Sequence, residues 1–491
     1  MFIKRNMAAL AAAVFLSTMP AQAQNNDCGV EEVQALFCPA MKDETLYDKN
    51  NFDSYKMLVP GNGGWIFRSE SDFRNDFSIP DDTLDDLEEL SDAFKAHGTE
   101  LVMLITPTRA LMHSQYITDE DKKKYDLRNM DKVWKSYWNG IESIRNRGIT
   151  VVGVERPAPE TPFFYRKDHH WNPYGAQLSA KALAATIKKL PAYKDIEKIE
   201  YATREDGAYD FYGVSKKVFK RICDTRQPPE RIVKKVTERK STAEGQDDLF
   251  GDSKQPEIVL MGTSNSTMEP SQANFEGFLK EELSADIINM SVSGGGLDTA
   301  MISYLNSEAF HKNPAKIAIW EIPGYYDLSN HKKFFREAIP ATYGSCESNP
   351  VVLAKDKKIE EKTMIALEKL ASRKISGSDY YLNVGFNTPM TEPVTLDLRY
   401  VKNRDKYKFD RSGRYPSDGQ FYVALQDGKK ENLEKVVLNL PEEAKGKTVS
   451  VMICKKDQKT SLGYNETPRE PKQPPVVSVE HNTPNFKKEK L

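Results

Sequence analysis

Hydrophobic positions between residues 81 and 322 follow two alternating patterns. Apolar residues at helical spacing, as in residues 81–97, predict amphipathic helices. Uninterrupted apolar runs, as in residues 100–105, predict strands that are buried on both faces. The predicted strands cover residues 100–105, 149–154, 257–261, 286–290 and 316–322, and the predicted helices cover residues 81–97, 130–147, 274–283 and 297–305. Because strands and helices alternate, the pattern indicates an α/β fold with a mainly parallel sheet.

The pattern changes after residue 346. A helix predicted over residues 358–371 is followed by short segments of alternating polarity, which are typical of a small β-sandwich. These segments are residues 394–400, 420–425, 436–440 and 449–454. We therefore expect an α/β domain over residues 24–345, a β-rich domain over residues 346–463 and a disordered tail over residues 464–491. Residues 201–255 are charged and are expected to form a loop-like insertion.

The first 23 residues have the composition of a secretory signal peptide. Lys4 and Arg5 precede an apolar run, residues 7–19, that is too short to span a bilayer, and small residues lead to a cleavage site after Ala23. The alternative is an N-terminal membrane anchor. Cleavage changes the formal net charge from −2 to −4, because two cations leave, and this balance argues against a general nucleic-acid binder. A periplasmic protein is predicted, on which a polyanion would have to bind to a local patch.

The mature chain keeps five cysteines, and none lies in a spacing typical of metal ligands. Widely spaced cysteines in an oxidising compartment indicate disulfides. We pair Cys38 with Cys223 and Cys346 with Cys454, which leaves Cys28 unpaired, although spacing alone leaves the connectivity open.

Two motifs contain the residues of a nucleophilic hydroxyl site. Ser264 lies in the sequence GTSNS directly after a predicted strand, where an open α/β sheet presents reactive groups, although such a serine is often only a helix cap. Asp168 and His170 lie in KDHHWNP and could orient and supply the base that a serine nucleophile needs. A metal site of Asp168, His169 and His170 is the weaker alternative, because three consecutive ligands rarely fit one tetrahedral ion.

Two further segments bear on this chemistry. Gly294, Gly295 and Gly296 follow a predicted strand and could present N–H groups to an oxyanion, or could form a plain flexible loop. The esterase-like sequence of residues 251–253 (GDS) follows no strand and is rejected. The chain has neither a GxGxxG nor a Walker A sequence, so no cofactor is predicted.

These motifs together resemble the AlgX/AlgJ family of SGNH-like acetyltransferases. The matching residues are a DxHW element (Asp168, His170, Trp171), a later GTSxS (Ser264, Ser266), the glycine triplet and an early GxxGWxF (Gly61, Gly64, Trp65, Phe67). The resemblance implies an SGNH hydrolase-like fold, a catalytic triad of Ser264, His170 and Asp168, two disulfides and a C-terminal carbohydrate-binding module. It also implies acetylation of mannuronate hydroxyls in alginate, with acetyl relayed by a membrane O-acyltransferase system and with other periplasmic biosynthesis and secretion proteins as partners.

The chain departs from ordinary SGNH esterases, because the serine block comes last, the acid and base are spaced Asp-x-His, and no third-block asparagine is evident. The oxyanion hole is therefore assigned to the Ser264 N–H and one glycine N–H from residues 294–296. The same triad could serve a polysaccharide acetylesterase, and a non-catalytic alginate-binding scaffold is the alternative of a different class.

A basic stretch, residues 399–414, is the candidate surface for the polysaccharide. Arginine can bind carboxylates bidentately, and the interleaved Tyr400, Tyr407 and Tyr415 could pack on sugar faces. The alternative is a solvated edge strand whose lysines discourage aggregation. The candidate binding residues are Arg399, Lys402, Arg404, Lys406, Lys408 and Arg411, together with Tyr326.

Overall fold

A computed structural model describes residues 36–157, 161–240, 255–377, 379–391, 393–410, 418–426 and 432–456. Several predicted features lie outside these residues, namely the leader of residues 1–23, Cys28, the GDS sequence of residues 251–253, Arg411, Tyr415 and the tail of residues 464–491. Within the described part of the chain, none of the helices is both long and apolar enough to cross a membrane.

Helices are concentrated in the first two thirds of the chain. The described α-helices are α1 (Glu44–Lys49), α2 (Asp81–Ala96), α3 (Arg109–Met112), α4 (Asp119–Lys124), α5 (Met130–Arg145), α6 (Pro173–Ile187), α7 (Pro191–Lys194), α8 (Lys216–Cys223), α9 (Phe275–Leu283), α10 (Thr299–Leu305), α11 (Glu308–Lys312) and α12 (Lys332–Tyr343).

Strands occur in both parts of the molecule. The described strands are β1 (Leu58–Pro60), β2 (Ile66–Arg68), β3 (Glu100–Thr106), β4 (Thr150–Gly153), β5 (Tyr201–Phe211), β6 (Glu230–Arg239), β7 (Ile258–Met261), β8 (Ile288–Asn289), β9 (Ile317–Pro323), β10 (Val352–Lys358), β11 (Thr363–Leu367), β12 (Tyr380–Phe386), β13 (Val394–Tyr400), β14 (Arg404–Phe409), β15 (Gln420–Ala424), β16 (Leu433–Asn439) and β17 (Thr448–Lys455).

A five-stranded parallel sheet of order β4-β3-β9-β7-β8 forms the centre of the first unit. Every residue of β7 and β9 is buried, as expected for strands covered by helices on both faces. The apolar face of α2 packs into the same core through Leu84, Leu87 and Phe94, and its first turn carries acidic residues that favour a helix start. The predicted α/β fold with a parallel sheet is confirmed.

Residues 201–240 form more regular structure than predicted. Instead of a loop, β5 and β6 make a two-stranded antiparallel ribbon, with α8 between them. Opposite charges face each other across the ribbon, as in the ion pairs of Arg204 with Glu238 at 2.9 Å and of Lys235 with Glu205 at 2.8 Å. Cross-strand charge pairs stabilise the ribbon, and the many charged residues of its strands mask the alternation that hydropathy detects. The predicted disulfide Cys38–Cys223 ties α8 to the N-terminal segment.

The C-terminal unit consists of two four-stranded antiparallel sheets, of orders β10-β17-β12-β15 and β11-β16-β13-β14, around a core of their own. The helix predicted over residues 358–371 is wrong: this stretch contains the end of β10 and all of β11. Met364 and Ile365 of β11 pair with Leu438 and Val437 of β16, and this strand pairing overrides the local helical spacing.

The two units contact each other through α12. Arg336 forms an ion pair with Asp405 at 2.8 Å, and the Glu337 carboxylate accepts a hydrogen bond from the Tyr407 hydroxyl at 2.6 Å. The second predicted disulfide, Cys346–Cys454, joins the segment after α12 to β17.

Candidate active site

Ser264 lies in the loop of residues 262–266, which follows β7 at the carboxyl edge of the parallel sheet. At such edges, open α/β sheets place their reactive groups, because the strands end there and the loops can converge. The Val292 N–H donates to the Gly262 carbonyl at 3.1 Å, which brings the loop after β8 beside the serine loop.

The segment of residues 164–172 brings the second motif to the same edge. Asn172 caps α6, since its side-chain oxygen accepts from the Tyr174 and Gly175 N–H groups at 2.9 and 3.1 Å. The fully buried Trp171 donates its indole N–H to the Asn265 carbonyl at 2.9 Å. The tryptophan therefore joins the histidine segment directly to the serine loop.

The structure brings Asp168, His170 and Ser264 into one hydrogen-bonded chain. The His170 Nδ1 lies 2.5 Å from Asp168 Oδ1, and the His170 Nε2 lies 2.8 Å from Ser264 Oγ. Asp168 also accepts from the His170 backbone N–H at 2.9 Å, and both residues are buried. An acid, an imidazole and a hydroxyl at these separations have the arrangement in which serine is activated as a nucleophile.

A second loop holds the other oxygen of the acid. The Val214 N–H donates to Asp168 Oδ2, and the preceding residue is Gly213 with a φ of +68°. A Cβ at Gly213 would lie 3.0 Å from both Asp168 Oδ2 and the Lys167 carbonyl, so glycine permits the close approach of this loop.

Charges around Asp168 favour its ionised form. Burial raises the pKa of the Asp168 carboxyl, but the imidazoles of His170 and His169 and the hydrogen bonds from His170 outweigh burial and hold this pKa well below its usual range. Burial also lowers the pKa of His169 well below its ordinary value. An ionised Asp168 accepts the Nδ1 proton of His170 and leaves Nε2 free to take the serine proton.

Asp168, His169 and His170 also bring one potential metal ligand each to within 4.8 Å of one another. Asp168 Oδ1 and His170 Nδ1 already bond each other, so a cation bound between them would have to break this hydrogen bond. The hydrogen bonds present therefore suit proton transfer better than metal ligation.

The oxyanion-hole candidates differ in availability. The Ser264 N–H has no hydrogen-bond partner among the described residues, whereas the Gly295 N–H already donates to the Val292 carbonyl at 3.1 Å and this glycine is buried. Gly295 is therefore removed from the candidates as a correction. Gly294 and Gly296 have φ values of +72° and +69° and lie in the same loop.

Glu321, a buried residue of β9, is a member of the site that the sequence motifs did not reveal. Its Oε2 accepts from the Thr263 N–H at 2.8 Å, the Thr263 hydroxyl at 2.9 Å and the Ser266 hydroxyl at 3.2 Å, and its Oε1 accepts from Asn265 Nδ2 at 3.3 Å. Burial raises the pKa of Glu321, and these hydrogen bonds oppose the rise. A glutamate within the apolar run IAIWEI was the signal that could have identified it.

A buried charge cluster supports the histidine segment from behind. Asp72 binds Arg68 and Arg109, each at 2.9 Å, and all three side chains are buried. Arg109 donates to the Tyr165 and Arg166 carbonyls at 2.7 and 2.9 Å. Because these carbonyls precede Asp168 by only a few residues, the cluster positions the acid of the site. Nothing in the local sequence around these residues indicated the cluster.

The candidate polysaccharide residues lie mostly on the hairpin of β13 and β14, in the C-terminal unit. Arg399 and Arg404 both bond the buried Asp397, with a distance of 2.6 Å from Arg404 Nη2, so their guanidinium groups are already engaged by a carboxylate. Lys402, Lys406 and Lys408 are exposed. Tyr400 and Tyr407 point into the core instead of toward sugars, because side chains alternate between the two faces of a strand.

Tyr326 lies elsewhere, shortly after β9. Its ring contacts Tyr325 at a centroid distance of 4.7 Å, and its carbonyl accepts from Arg74. The sequence candidates for polysaccharide binding are therefore divided between two surfaces.

Comparison with known proteins finds relatives in both sequence and structure. Residues 58–324 match the family described as "SGNH hydrolase-like domain, acetyltransferase AlgX". Alginate biosynthesis protein AlgX of Azotobacter vinelandii is 33% identical over 435 residues, which cover 86% of this chain and 88% of that protein. Probable alginate O-acetylase AlgJ of Pseudomonas aeruginosa is 30% identical over 291 residues, which cover 55% of this chain and 70% of the relative. The solved structure of Pseudomonas aeruginosa AlgX superposes with a TM-score of 0.73 at 29% identity, covering 86% of this chain and all of that one (100%).

Proposed function

The chain belongs to the AlgX family, and on that premise we propose that it is a periplasmic O-acetyltransferase that acetylates mannuronate hydroxyls of alginate. The observation that carries the proposal is the hydrogen-bonded chain from Asp168 through His170 to Ser264. Without a basic partner of this kind, a serine hydroxyl is too weak a nucleophile to attack an ester at useful rates.

The first half-reaction forms an acetyl-serine. His170 Nε2 takes the hydroxyl proton as Ser264 Oγ attacks the acetyl carbonyl, and Asp168 stabilises the imidazolium that results. The Ser264 N–H, assisted by an N–H of Gly294 or Gly296, donates to the tetrahedral oxyanion. The bond to the donor oxygen then breaks, and the leaving group takes the proton from His170.

The second half-reaction transfers acetyl to the polymer. His170 takes the proton of a mannuronate hydroxyl, whose oxygen attacks the acetyl-serine carbonyl, and collapse of the intermediate returns the proton to Ser264. If water replaced the sugar hydroxyl, the same residues would make an acetylesterase, so the acceptor decides between transfer and hydrolysis.

The compartment, the source of acetyl and the partner proteins are proposed from the predicted leader and from the relatives. A protein exported by residues 1–23 meets no cytoplasmic acetyl donor, so a membrane O-acyltransferase system is proposed to relay acetyl to Ser264. Other periplasmic biosynthesis and secretion proteins are proposed as partners. The exposed Lys402, Lys406 and Lys408 of the C-terminal unit are proposed to hold the acidic polymer.

Replacement of the triad residues tests the proposal. Ser264→Ala and His170→Ala should each lower turnover of a small acetyl ester by at least ~10³-fold, because members of one triad act as a unit. Thermal unfolding checks that each variant is folded, and Ser253→Ala in the rejected GDS sequence is the matched control, for which we expect the unchanged rate. A folded Ser264→Ala protein with normal turnover would contradict the proposal.

A further inference from the structure

A basic groove runs along α8, and Tyr212 of the loop that holds Asp168 is part of its lining. Its volume is about 920 Å³, and its lining includes five cations (Lys216, Lys217, Lys220, Arg221 and Arg226) against one carboxylate, Asp224. A cleft lined by charges of one sign concentrates its field and attracts ligands of the opposite sign. The excess of cations therefore points to an anionic ligand.

Most of this positive charge is available to a ligand. Asp224 pairs with Lys220, and Arg221 donates to the side-chain oxygen of Asn50 at 2.8 Å, which leaves its charge unneutralised. Lys217 and Arg226 are exposed and have no ion pair within the described ranges.

The floor of the groove is held in place before any ligand binds. Val218 and Phe219 of α8 are fully buried, and the disulfide Cys38–Cys223 ties the end of this helix to the N-terminal segment. The Gln227 amide donates to the Ser215 hydroxyl at 3.2 Å and so joins the residues that precede and follow α8. A preformed surface loses little conformational entropy on binding, which favours affinity.

The same loop connects the groove with the candidate active site. Tyr212 lines the groove, while Val214 donates its N–H to Asp168 and Ser215 donates its hydroxyl to the Lys167 carbonyl. The groove therefore begins one or two residues from the groups that hold the acid of the triad.

We propose that this groove is a binding site for the acidic acceptor polysaccharide, which holds uronate carboxylates with Lys216, Lys217 and Arg226 while another part of the polymer reaches Ser264. Tyr212 is 44% exposed and lies beneath Lys216, with 5.4 Å between the ammonium and the ring centroid. A partly exposed ring among cations suits a sugar that carries a carboxylate, because the ring packs on the sugar face and the cations bind the charge. The inference rests on the proposed function and assigns a polymer site that none of the sequence candidates included.

A charge reversal tests the site in the full mature protein, without acetyl donor. Lys217→Glu with Arg226→Glu should raise the Kd for oligomannuronate about tenfold or more, and the wild-type affinity should fall as salt increases. Lys188→Glu with Lys189→Glu, on the exposed turn after α6, makes the same change of net charge and is the matched control, for which we expect less than about a twofold change. Titration calorimetry with oligomannuronate and with a neutral oligosaccharide of equal length measures both effects.

Equal affinities of the groove variant and the control variant would overturn the inference, as would a wild type that binds the neutral oligosaccharide equally well. Turnover of a small acetyl ester by wild type and Ser264→Ala is measured in parallel. If turnover depends on Ser264 but the groove variant binds oligomannuronate with the affinity of the control variant, only the proposed groove site is rejected. If turnover does not depend on Ser264, the proposed function is rejected.

Discussion

Among single residues, Glu321 has the most demanding hydrogen-bond arrangement in the site. Its Oε2 accepts three hydrogen bonds from Thr263 and Ser266, and its Oε1 faces the Asn265 amide at 3.3 Å. The Asn265 side-chain oxygen in turn accepts from the Trp171 backbone N–H at 3.4 Å. The Asn265 amide therefore cannot rotate without losing that hydrogen bond. Glu321 is thus a positioning residue, because it acts on Ser264 only through the loop.

This arrangement predicts a reciprocal rescue. Glu321→Gln should place an NH2 against the Asn265 NH2, displace the loop and lower kcat for a small ester by up to ~100-fold, with a smaller effect on KM. The double variant Glu321→Gln, Asn265→Asp should restore much of kcat, because Asp accepts from both the new amide and the Trp171 N–H.

A double-mutant cycle on kcat measures this coupling. Asn265→Asp alone should be impaired too, since it buries two carboxylates together. Effects of the two substitutions that simply add would show that Glu321 does not act through Asn265.

The residues of the site were predictable to different degrees. Asp168, His170 and Ser264 could be selected from the sequence. Their residue types are those of a nucleophilic site, and they lie after a predicted strand or before a helix start. Glu321 and the Arg109 cluster could not be selected, because their importance arises from contacts between segments distant in sequence, as in the 2.9 Å bond between Arg109 and Asp72. Gly295 failed as an oxyanion donor because a local turn uses its N–H.

At the scale of elements, the strand β14 places its charged and its aromatic side chains mostly on opposite faces. Its side chains alternate, so Lys406 and Lys408 are exposed whereas Tyr407 and Phe409 are buried. Arg404, at the start of the strand, is bound by Asp397 and is less able to bind a second carboxylate. Lys408 also pairs with Asp410, at 3.5 Å, but both of these side chains are exposed, unlike the buried Asp397 that binds Arg404. Lys406 and Lys408 therefore remain the best candidates on this strand.

The variant Lys406→Glu, Lys408→Glu should weaken oligomannuronate binding about three- to tenfold at low salt, and the difference should shrink at high salt, where exposed charges are screened. Lys358→Glu with Lys374→Glu, two exposed lysines away from β14, is the matched control. Binding titrations at two salt concentrations check the prediction, and equal losses in both double variants would assign the effect to net charge instead of to β14.

Elements with strong periodicity were predictable from the sequence. The structure contains α2 over Asp81–Ala96 and β3 over Glu100–Thr106, close to the predicted bounds, because their apolar positions alone decide which face is buried. The stretch of residues 358–371 shows the opposite case. Its helical spacing is real, but pairing of β11 with β16 buries Ala366 and Leu367 in a sheet, and this pairing is a long-range property.

At the scale of the whole molecule, α12 connects the two units. It contributes Phe334 and Phe335 to the core of the parallel sheet, and on its other side Arg336 donates to the Ala424 carbonyl of β15 at 3.0 Å. Tyr381, Tyr422 and Met452 of the C-terminal sheets also pack into the first core. The order of the two units followed from the change in pattern after residue 346, whereas their interface did not, because its contacts join positions far apart in sequence.

At this scale the central proposal is that acetyl passes from Ser264 to an acidic polymer. A chase experiment tests it most directly: the protein is acetylated with a small acetyl ester, freed of donor and mixed with oligomannuronate, and mass spectrometry follows the enzyme peptides and the oligosaccharide. We predict an acetyl group on the peptide that contains Ser264, lost as an equal amount of acetylated oligomannuronate forms. Acetyl found on another residue, or released only as acetate while the oligosaccharide stays unmodified, would contradict the account.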